Sequence, residues 1–503
     1  MASRHPFDPT NPSSFLAMAG RRSGSLRRGA EKPFARRLCW RGCLTGIAAI
    51  AVSAPAAWAQ APASVGGPGI TIERYSEDWS VLADPRRRTG RWTEPFKYLP
   101  LNDAGDLYLT TGLEARTRYE SYQHGQWGQQ PRNDYLWNRV MPYADLHMGQ
   151  LRVFAQPIIS DISGADRVET PVDTTGVDFL QGFVGLEMEI ASGTTLDLAA
   201  GRRLRSLGGG RLVDTRYGVN VPLAFDGADV SLTRGTRRIT ALGLRPVENR
   251  VGDFDDRSSD QKALWGLYGT QWLAQDRRTG VDLYWLGFRD RNAVYDQGSG
   301  RQTVHSFGMR WFGVEGGWRW NVEGVIQRGE FNDARTAAWG VGGEIRHRFA
   351  TAPLSPEVVM MIDYISGDDD PDDPELNTFN ALFPRGRYFV AQSPIGPRNL
   401  IHLQPSVTLR PRDDLDVTLM GAAYWRESTR DGVYSIPGAL VRSGRGSDAR
   451  YIGTQIELSA TWRATQELEL AVSAGALGAG PFIRESGSSQ TVFLASAMAT
   501  FKY

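Results

Sequence analysis

Arginines recur in this chain at a spacing that suits recognition of carboxylates. Arg116 and Arg118 stand two residues apart, between Glu114 and Glu120. Arg139 is followed by Asp145 and then Arg152, and Glu187 and Glu189 precede Arg203. Arg319, the pair Arg346 and Arg348, and Arg426 complete the set. A guanidinium presents a planar fork of donors that matches a carboxylate in two places. Several forks along a passage would meet an anionic ligand through weak, repeated contacts, which let it enter without being trapped. The same residues also read as ion pairs that join neighbouring strands and hydrate a wall, and the sequence leaves both roles open. Lysine is nearly absent past the leader, with only Lys97, Lys262 and Lys502.

Other chemistry finds little support. There is no Gly-x-Ser-x-Gly elbow, no His-Glu-x-x-His and no Walker sequence. His124, His147, His305, His347 and His402 are scattered. The run Asp368 to Glu375 is acidic but lacks the ligand spacing and fixed glycine of a calcium loop, so it reads as a solvated loop. Catalytic, cofactor and metal assignments are therefore none.

The elements that carry the arginines have a period of two. Leu107, Leu109, Leu113 and Ala115 alternate with Glu114, Arg116, Arg118 and Glu120. Leu136, Val140, Ala144 and Leu146 alternate with Trp137, Arg139, Tyr143, Asp145 and His147. Sixteen further segments follow, near 150–160, 179–190, 194–203, 226–234, 236–246, 262–273, 279–289, 302–313, 316–328, 336–349, 355–366, 399–410, 414–427, 448–463, 466–478 and 490–503. Eighteen strands are expected in all. Their connections alternate between long and short. Long ones fall near 123–134, 161–178, 204–225, 247–261, 290–301, 367–398, 428–447 and 479–489. Gly149-Gln150, Ala191 to Gly193, Gly235, Arg410 to Asp413 and Arg463 to Gln466 are short. The span from Gly329 to Arg335 breaks the alternation by being short where a long loop is due.

The last segment, Thr491 to Tyr503, puts Phe493, Ala495, Ala497, Ala499, Phe501 and Tyr503 on one face. The other face is mixed and ends on Lys502. A terminal strand with aromatics at its ends fits a sheet that closes on itself and so leaves no edge in lipid. The expected fold is all-β: a transmembrane antiparallel up-and-down β-barrel of 18 strands over residues 106–503. The polar face of each strand then points inward, because an arginine in lipid at the midplane costs about 2–4 kcal/mol.

Residues 1–59 read as a long leader followed by a secretory signal. Arg36, Arg37 and Arg41 precede the apolar run Leu44 to Ala54, and Ala57-Trp-Ala59 fits the cleavage rule. Cys39 and Cys43 both lie there, which excludes disulfides and thiol chemistry from the remainder. Nine of the 57 Lys and Arg and two of the 56 Asp and Glu also lie there. The remainder is thus net acidic by about six charges, which speaks against a nucleic-acid partner. Residues 60–105 are too few for a globular plug and are expected to form a small periplasmic or lumenal segment.

Several motifs, in order, resemble the alginate export family of outer-membrane proteins. They include Glu77-Asp-Trp79, Lys97-Tyr-Leu-Pro-Leu101 and Leu113-Glu-Ala-Arg-Thr-Arg-Tyr-Glu120. Ala200-Gly-Arg-Arg-Leu204, Asn220-Val-Pro222 and Phe225-Asp-Gly227 follow. Tyr364-Ile-Ser-Gly-Asp368, Thr378 to Gly386, Tyr424-Trp-Arg426, Asp431-Gly-Val-Tyr434, Tyr451-Ile-Gly453 and Gly480-Pro-Phe482 carry it to the end. Arg203 departs from the pattern, since the family usually has Gln there. The resemblance implies an outer-membrane channel, with both termini periplasmic, that passes an anionic or polar polysaccharide or oligosaccharide. Expected partners are outer-membrane lipid, the barrel-assembly machinery and periplasmic export proteins, with the chain itself a monomer. A small-solute uptake porin on the same scaffold is the alternative, followed by an outer-membrane hydrolase.

Overall fold

The computed structural model describes residues 68–166, 169–386, 388–389 and 394–503. The leader, the signal sequence and its cleavage site lie outside the described residues. Eighteen antiparallel strands close into one barrel. The first six are β1 (Leu107–Gln123), β2 (Asn133–Met148), β3 (Leu151–Ser163), β4 (Gly176–Ala191), β5 (Thr194–Leu204) and β6 (Ala224–Arg234). Next come β7 (Arg237–Glu248), β8 (Lys262–Trp272), β9 (Gly280–Tyr295), β10 (Gly298–Glu315), β11 (Trp318–Phe331) and β12 (Ala334–Arg348). The last six are β13 (Glu357–Ile365), β14 (Leu400–Arg412), β15 (Leu415–Trp425), β16 (Tyr451–Arg463), β17 (Leu468–Ala479) and β18 (Val492–Lys502). Each strand pairs with the next, and β18 returns to β1 in a register running from Glu114 opposite Lys502 to Gln123 opposite Phe493.

Alternation decides which face meets lipid. Val184, Ile239, Met309, Ile326, Ile345 and Leu458 are among the large apolar side chains exposed on the outer surface. Their strand neighbours Gly185, Thr240, Arg310, Val325, Glu344 and Glu457 are shielded inside. Such a belt is stable only against hydrocarbon. Tight turns at one end of the barrel place Gly149, Gly193 and Gly235 at φ of 61°, 68° and 56°, a region that side-chain-bearing residues enter at a cost.

One expected loop is absent. Residues 290–301 do not leave the sheet: β9 and β10 continue to a hairpin at Asp296-Gln297, with a register shift between Asp290 and Ala293. That irregularity breaks the period of two, so the strand extension looked like a loop.

Two of the long connections fold into the barrel instead of away from it. Segment 205–223 and the described part of segment 366–399 meet inside through a parallel bridge between Val213 and Phe383. Phe383 N donates to Leu212 O at 2.8 Å, and Asp214 N donates to Phe383 O at 2.9 Å. Leu212, Val213, Phe379, Leu382 and Phe383 then pack on inward side chains of β7 to β11, including Leu244, Leu264, Leu286, Phe288, Val304 and Val325. Burial of each such side chain contributes about 1.5–3 kcal/mol, enough collectively to hold both segments inside. Asn380 adds a polar lock: its N–H and C=O both bond the Gln327 amide at 2.8 Å, and its Nδ2 donates to Gln302 at 2.6 Å.

Candidate functional site: the barrel lumen

The arginines of β1 and β2 all point inward and are buried, with Arg116 directly opposite Arg139. Arg139 donates through Nε and Nη2 to Glu114 Oε1 at 3.1 and 2.6 Å. Its Nη1 reaches the carbonyls of Tyr217, Val219 and Asn220 at 3.3, 3.0 and 3.2 Å. Arg116 donates to Tyr217 O and Val219 O at 3.2 and 2.5 Å, and Arg118 to Gly218 O at 3.0 Å. Arg118 also pairs with Glu120, and the Tyr217 hydroxyl donates to Glu114. Three guanidiniums thus grip four consecutive residues of the inward segment 205–223 by their backbone carbonyls. Asn220 continues the clamp through Nδ2 to the carbonyls of Asn138, Asp161 and Asp173.

Arg426 does the same for another connection. Buried at the end of β15, it donates to the carbonyls of Thr429 and Asp431 at 2.8 and 3.1 Å, and of Ser447 and Ala449 at 2.7 and 2.6 Å. Its guanidinium lies 3.9 Å from the Phe482 ring centroid. Burial pulls its pKa down to about 10.

A second group lines the wall that the inward segments leave partly open. Arg346 meets Glu344 at 2.8 Å and Glu357 at 3.2 Å. Arg410 meets Glu357 at 3.5 Å and Asp416 at 3.0 Å, and Arg463 meets Asp416 at 2.9 Å. This chain of alternating charges runs from β12 to β16 near the tight-turn end. Gln404, Ser406 and Thr408 above it on β14 are half-buried. Arg319, opposite Arg346 in the register, is half-buried, and Arg348 is exposed at the strand end. Arg152 is half-buried and forks onto Asp145, with Nε to Oδ1 at 2.7 Å. Glu187 and Glu189 are exposed at the tight-turn end of β4, where Glu189 accepts from Gly193 N at 2.8 Å. Arg203 is buried and pairs with Asp229 at 2.9 Å. The expected site residues therefore fall into three separate groups: loop clamps, the open wall and the tight-turn rim.

Two contributors were not among the expected site residues. Arg211, inside segment 205–223, bonds Asp363 and donates to the Tyr388 hydroxyl at 2.6 Å; His402 Nδ1 lies 3.1 Å from Asp363. The segment before β1 enters the tight-turn mouth. Arg74 pairs with Glu77 at 2.8 Å and donates to Tyr503 O at 2.6 Å. Lys97 Nζ donates to Thr111 O and the Tyr143 hydroxyl, each at 2.9 Å. Burial, aided by Arg74 and Arg91 and opposed by Glu77, pulls Lys97 down to about 7. The acidic run is folded in part: Asp368 is buried and accepts from Asn377 N at 2.9 Å, and Asp370 pairs with Arg430 at 3.2 Å.

A closed barrel with an apolar belt, a charged lumen and inward-folded connections is an outer-membrane channel of the porin type. The chain belongs to the alginate export family, whose profile matches residues 107–495. Solved structures with the same fold include Pseudomonas aeruginosa OccK2 (OpdF) in complex with glucuronate, at 11% identity and a TM-score of 0.52, covering 78% of this chain and 97% of that one. OccD3 (OpdP) from the same organism has 11% identity and a TM-score of 0.52, with 81% and 93% covered. A BenF-like porin from Pseudomonas fluorescens Pf-5 has 9% identity and a TM-score of 0.54, with 78% and 98% covered. No curated protein matches the chain.

Proposed function

We propose that this channel conducts an anionic or polar saccharide, with the half-buried wall of β12 to β16, Arg152 at the tight-turn rim and Arg203 deeper in the lumen as its contact surface. The observation that carries this reading is the filling of the lumen by the inward connections, over β7 to β11 and, towards the long-loop end, over Met361, Leu400, Met420 and Tyr424 of β13 to β15, which leaves the charged tight-turn half of β12 to β16 partly open. Arg116, Arg118, Arg139 and Arg426 serve the passage by fixing the segments that set its width. Family membership supports a saccharide, and the glucuronate in complex with the OccK2 structure supports a sugar acid as its chemical class. The two inward segments favour a short, extended chain or a single ring over a bulky polymer. The uptake of small solutes remains the second reading, because the same narrowing suits them. Long loops face the outside and both termini the periplasm in either case; the chain inserts through the barrel-assembly machinery as a monomer and meets periplasmic export partners if flux is outward.

Planar-bilayer reversal potentials test the charge preference. The Arg346→Ser/Arg410→Ser variant is expected to lose anion selectivity at low salt and to differ little from the parent at high salt, where lumenal charge is screened. Unchanged selectivity at low salt with folding intact would refute the wall as the contact surface. Liposomes loaded with oligouronates of increasing length then separate a saccharide conduit from a small-solute porin: release of the monomer alone favours the porin.

A further inference from the structure

Tyr75, on the segment before β1, sits in a cradle built by the barrel wall. Its ring meets Phe183 and Phe154 edge-on, with centroids at 5.3 and 6.0 Å. Those two rings stack on each other at 5.3 Å and are almost wholly buried. The Arg203 guanidinium lies 5.1 Å from the Tyr75 centroid and 5.3 Å from that of Phe183. The Tyr75 hydroxyl is 2.8 Å from Leu204 O and 2.9 Å from Glu73 Oε2. Glu73 Oε1 in turn accepts from Ser206 N at 2.8 Å.

What covers this aromatic floor differs from what covers the rest of the lumen wall. Over β7 to β11 the cover is apolar and forms a core. Here it is a phenol ring hydrogen-bonded to a carboxylate, both half-buried. The occupant engages the two arginines of the cradle only in part. Arg203, which is 8% exposed, and Arg205 each have a buried Nε with no hydrogen-bond partner, although both side chains lie near Asp229. A buried donor without a partner is costly, and an occupant with a carboxylate at this position would satisfy both.

We propose that this cradle is a binding site for a six-membered ring carrying a carboxylate, and that Tyr75 with Glu73 fills it as a tethered stand-in. This deepens the saccharide reading and rests on it, since the ring acid would be the permeant. A free acid displaces the pair by placing its carboxylate against Ser206 N and the Arg203 and Arg205 donors, and its ring on Phe154 and Phe183. Ser206 opens the inward segment whose residues 217–220 are clamped by Arg116, Arg118 and Arg139. Release of Glu73 therefore acts at the base of the constricting segment as well as clearing the mouth.

The experiment is single-channel recording of the full-length protein with glucuronate, benzoate and neutral glucose as blockers. The Tyr75→Ala/Glu73→Gln variant is expected to conduct more than the parent and to need about tenfold less glucuronate for half-block, the size of one charge-assisted hydrogen bond. Adding Arg203→Gln should reverse that gain, and glucose should block no variant differently. Stronger block by benzoate than by glucuronate supports the site and assigns it to aromatic acids. Raised conductance with unchanged glucuronate block makes the segment a simple plug and overturns the proposal; unchanged conductance, or equal block by glucose, also overturns it. Glu73→Gln alone, which leaves the aromatic packing in place, gives the same reading if the double variant fails to show heat-modifiable folding. Oligouronate release by the parent channel judges the saccharide reading separately.

Discussion

Arg139 and Glu114 meet diagonally between β1 and β2, and two guanidinium nitrogens converge on one carboxylate oxygen at 3.1 and 2.6 Å. Both side chains also hold Tyr217, the arginine at the backbone carbonyl and the glutamate at the hydroxyl. Arg139→Met should therefore strand a buried carboxylate and free the loop at once, costing about 3–5 kcal/mol. Adding Glu114→Gln should restore part of that loss, a coupling that a double-mutant cycle in detergent denaturation would read. Strict additivity would mean that the pair does not act as a unit.

Selectivity and width should separate by position. Arg116→Ser/Arg139→Ser, at the clamp, is expected to raise conductance through a loosened segment 217–220, together with a smaller shift in reversal potential than Arg346→Ser/Arg410→Ser gives at the wall. The comparison is made at low salt, where an unscreened lumenal charge has its full effect.

Arg426→Ala should unfasten residues 429–449 without opening the barrel. Loss of charge-assisted bonds to four carbonyls is expected to lower the local opening free energy by about 2–4 kcal/mol. Hydrogen exchange at Thr429, Asp431 and Ala449 reports this, with strand amides of β15 and β16 as the unchanged reference.

Docking of the N-terminal segment should depend on pH through Lys97. The free lysine keeps its proton to about 10.5, whereas in the docked segment the pKa is about 7. The undocked form binds more protons between those values, so docking strengthens as pH rises from about 7 towards 10.5 and is flat below. Protection of residues 74–79 should be greater at pH 9 than at pH 6, and Lys97→Met should remove the difference.

Orientation has a direct test. Single cysteines at Asp369 and Ala439 should react with an impermeant maleimide on intact cells, and those at Gly149 and Thr465 only after lysis. Reversed labelling would invert the topology.

All eighteen strands were legible in the sequence, because a sheet between lipid and a polar lumen must alternate at every step. A strand extension was missed at the Asp290 to Ala293 register shift, which hid the β9–β10 hairpin. Inward pointing of Arg116, Arg118 and Arg139 followed from parity. Their partners did not, since a backbone carbonyl at Tyr217 or Val219 has no side-chain signature to read. The turn inward of these two connections, 205–223 and 366–399, was equally silent: Leu212-Val213 and Phe383 are far apart in the chain and look like scattered loop hydrophobics. Lys97 and Tyr75 lay in a segment without periodicity; the motif from Lys97 to Leu101 carried the resemblance, but the contacts of either side chain emerge only from the tertiary structure.

The apolar inner face of β7 to β11 has a further consequence for anyone wishing to widen this pore. Shortening segments 205–223 and 366–399 would not yield a larger aqueous channel of the same kind. Water would border Leu244, Leu264, Phe288 and Val325 on one side and Arg346, Arg410 and Asp416 on the other. A pore with one wettable half and one dry half tends to empty of liquid along the dry half, and gating by dewetting is a known behaviour of hydrophobic constrictions. A wider opening would therefore conduct as intended only after the strand residues beneath the loops were made polar as well.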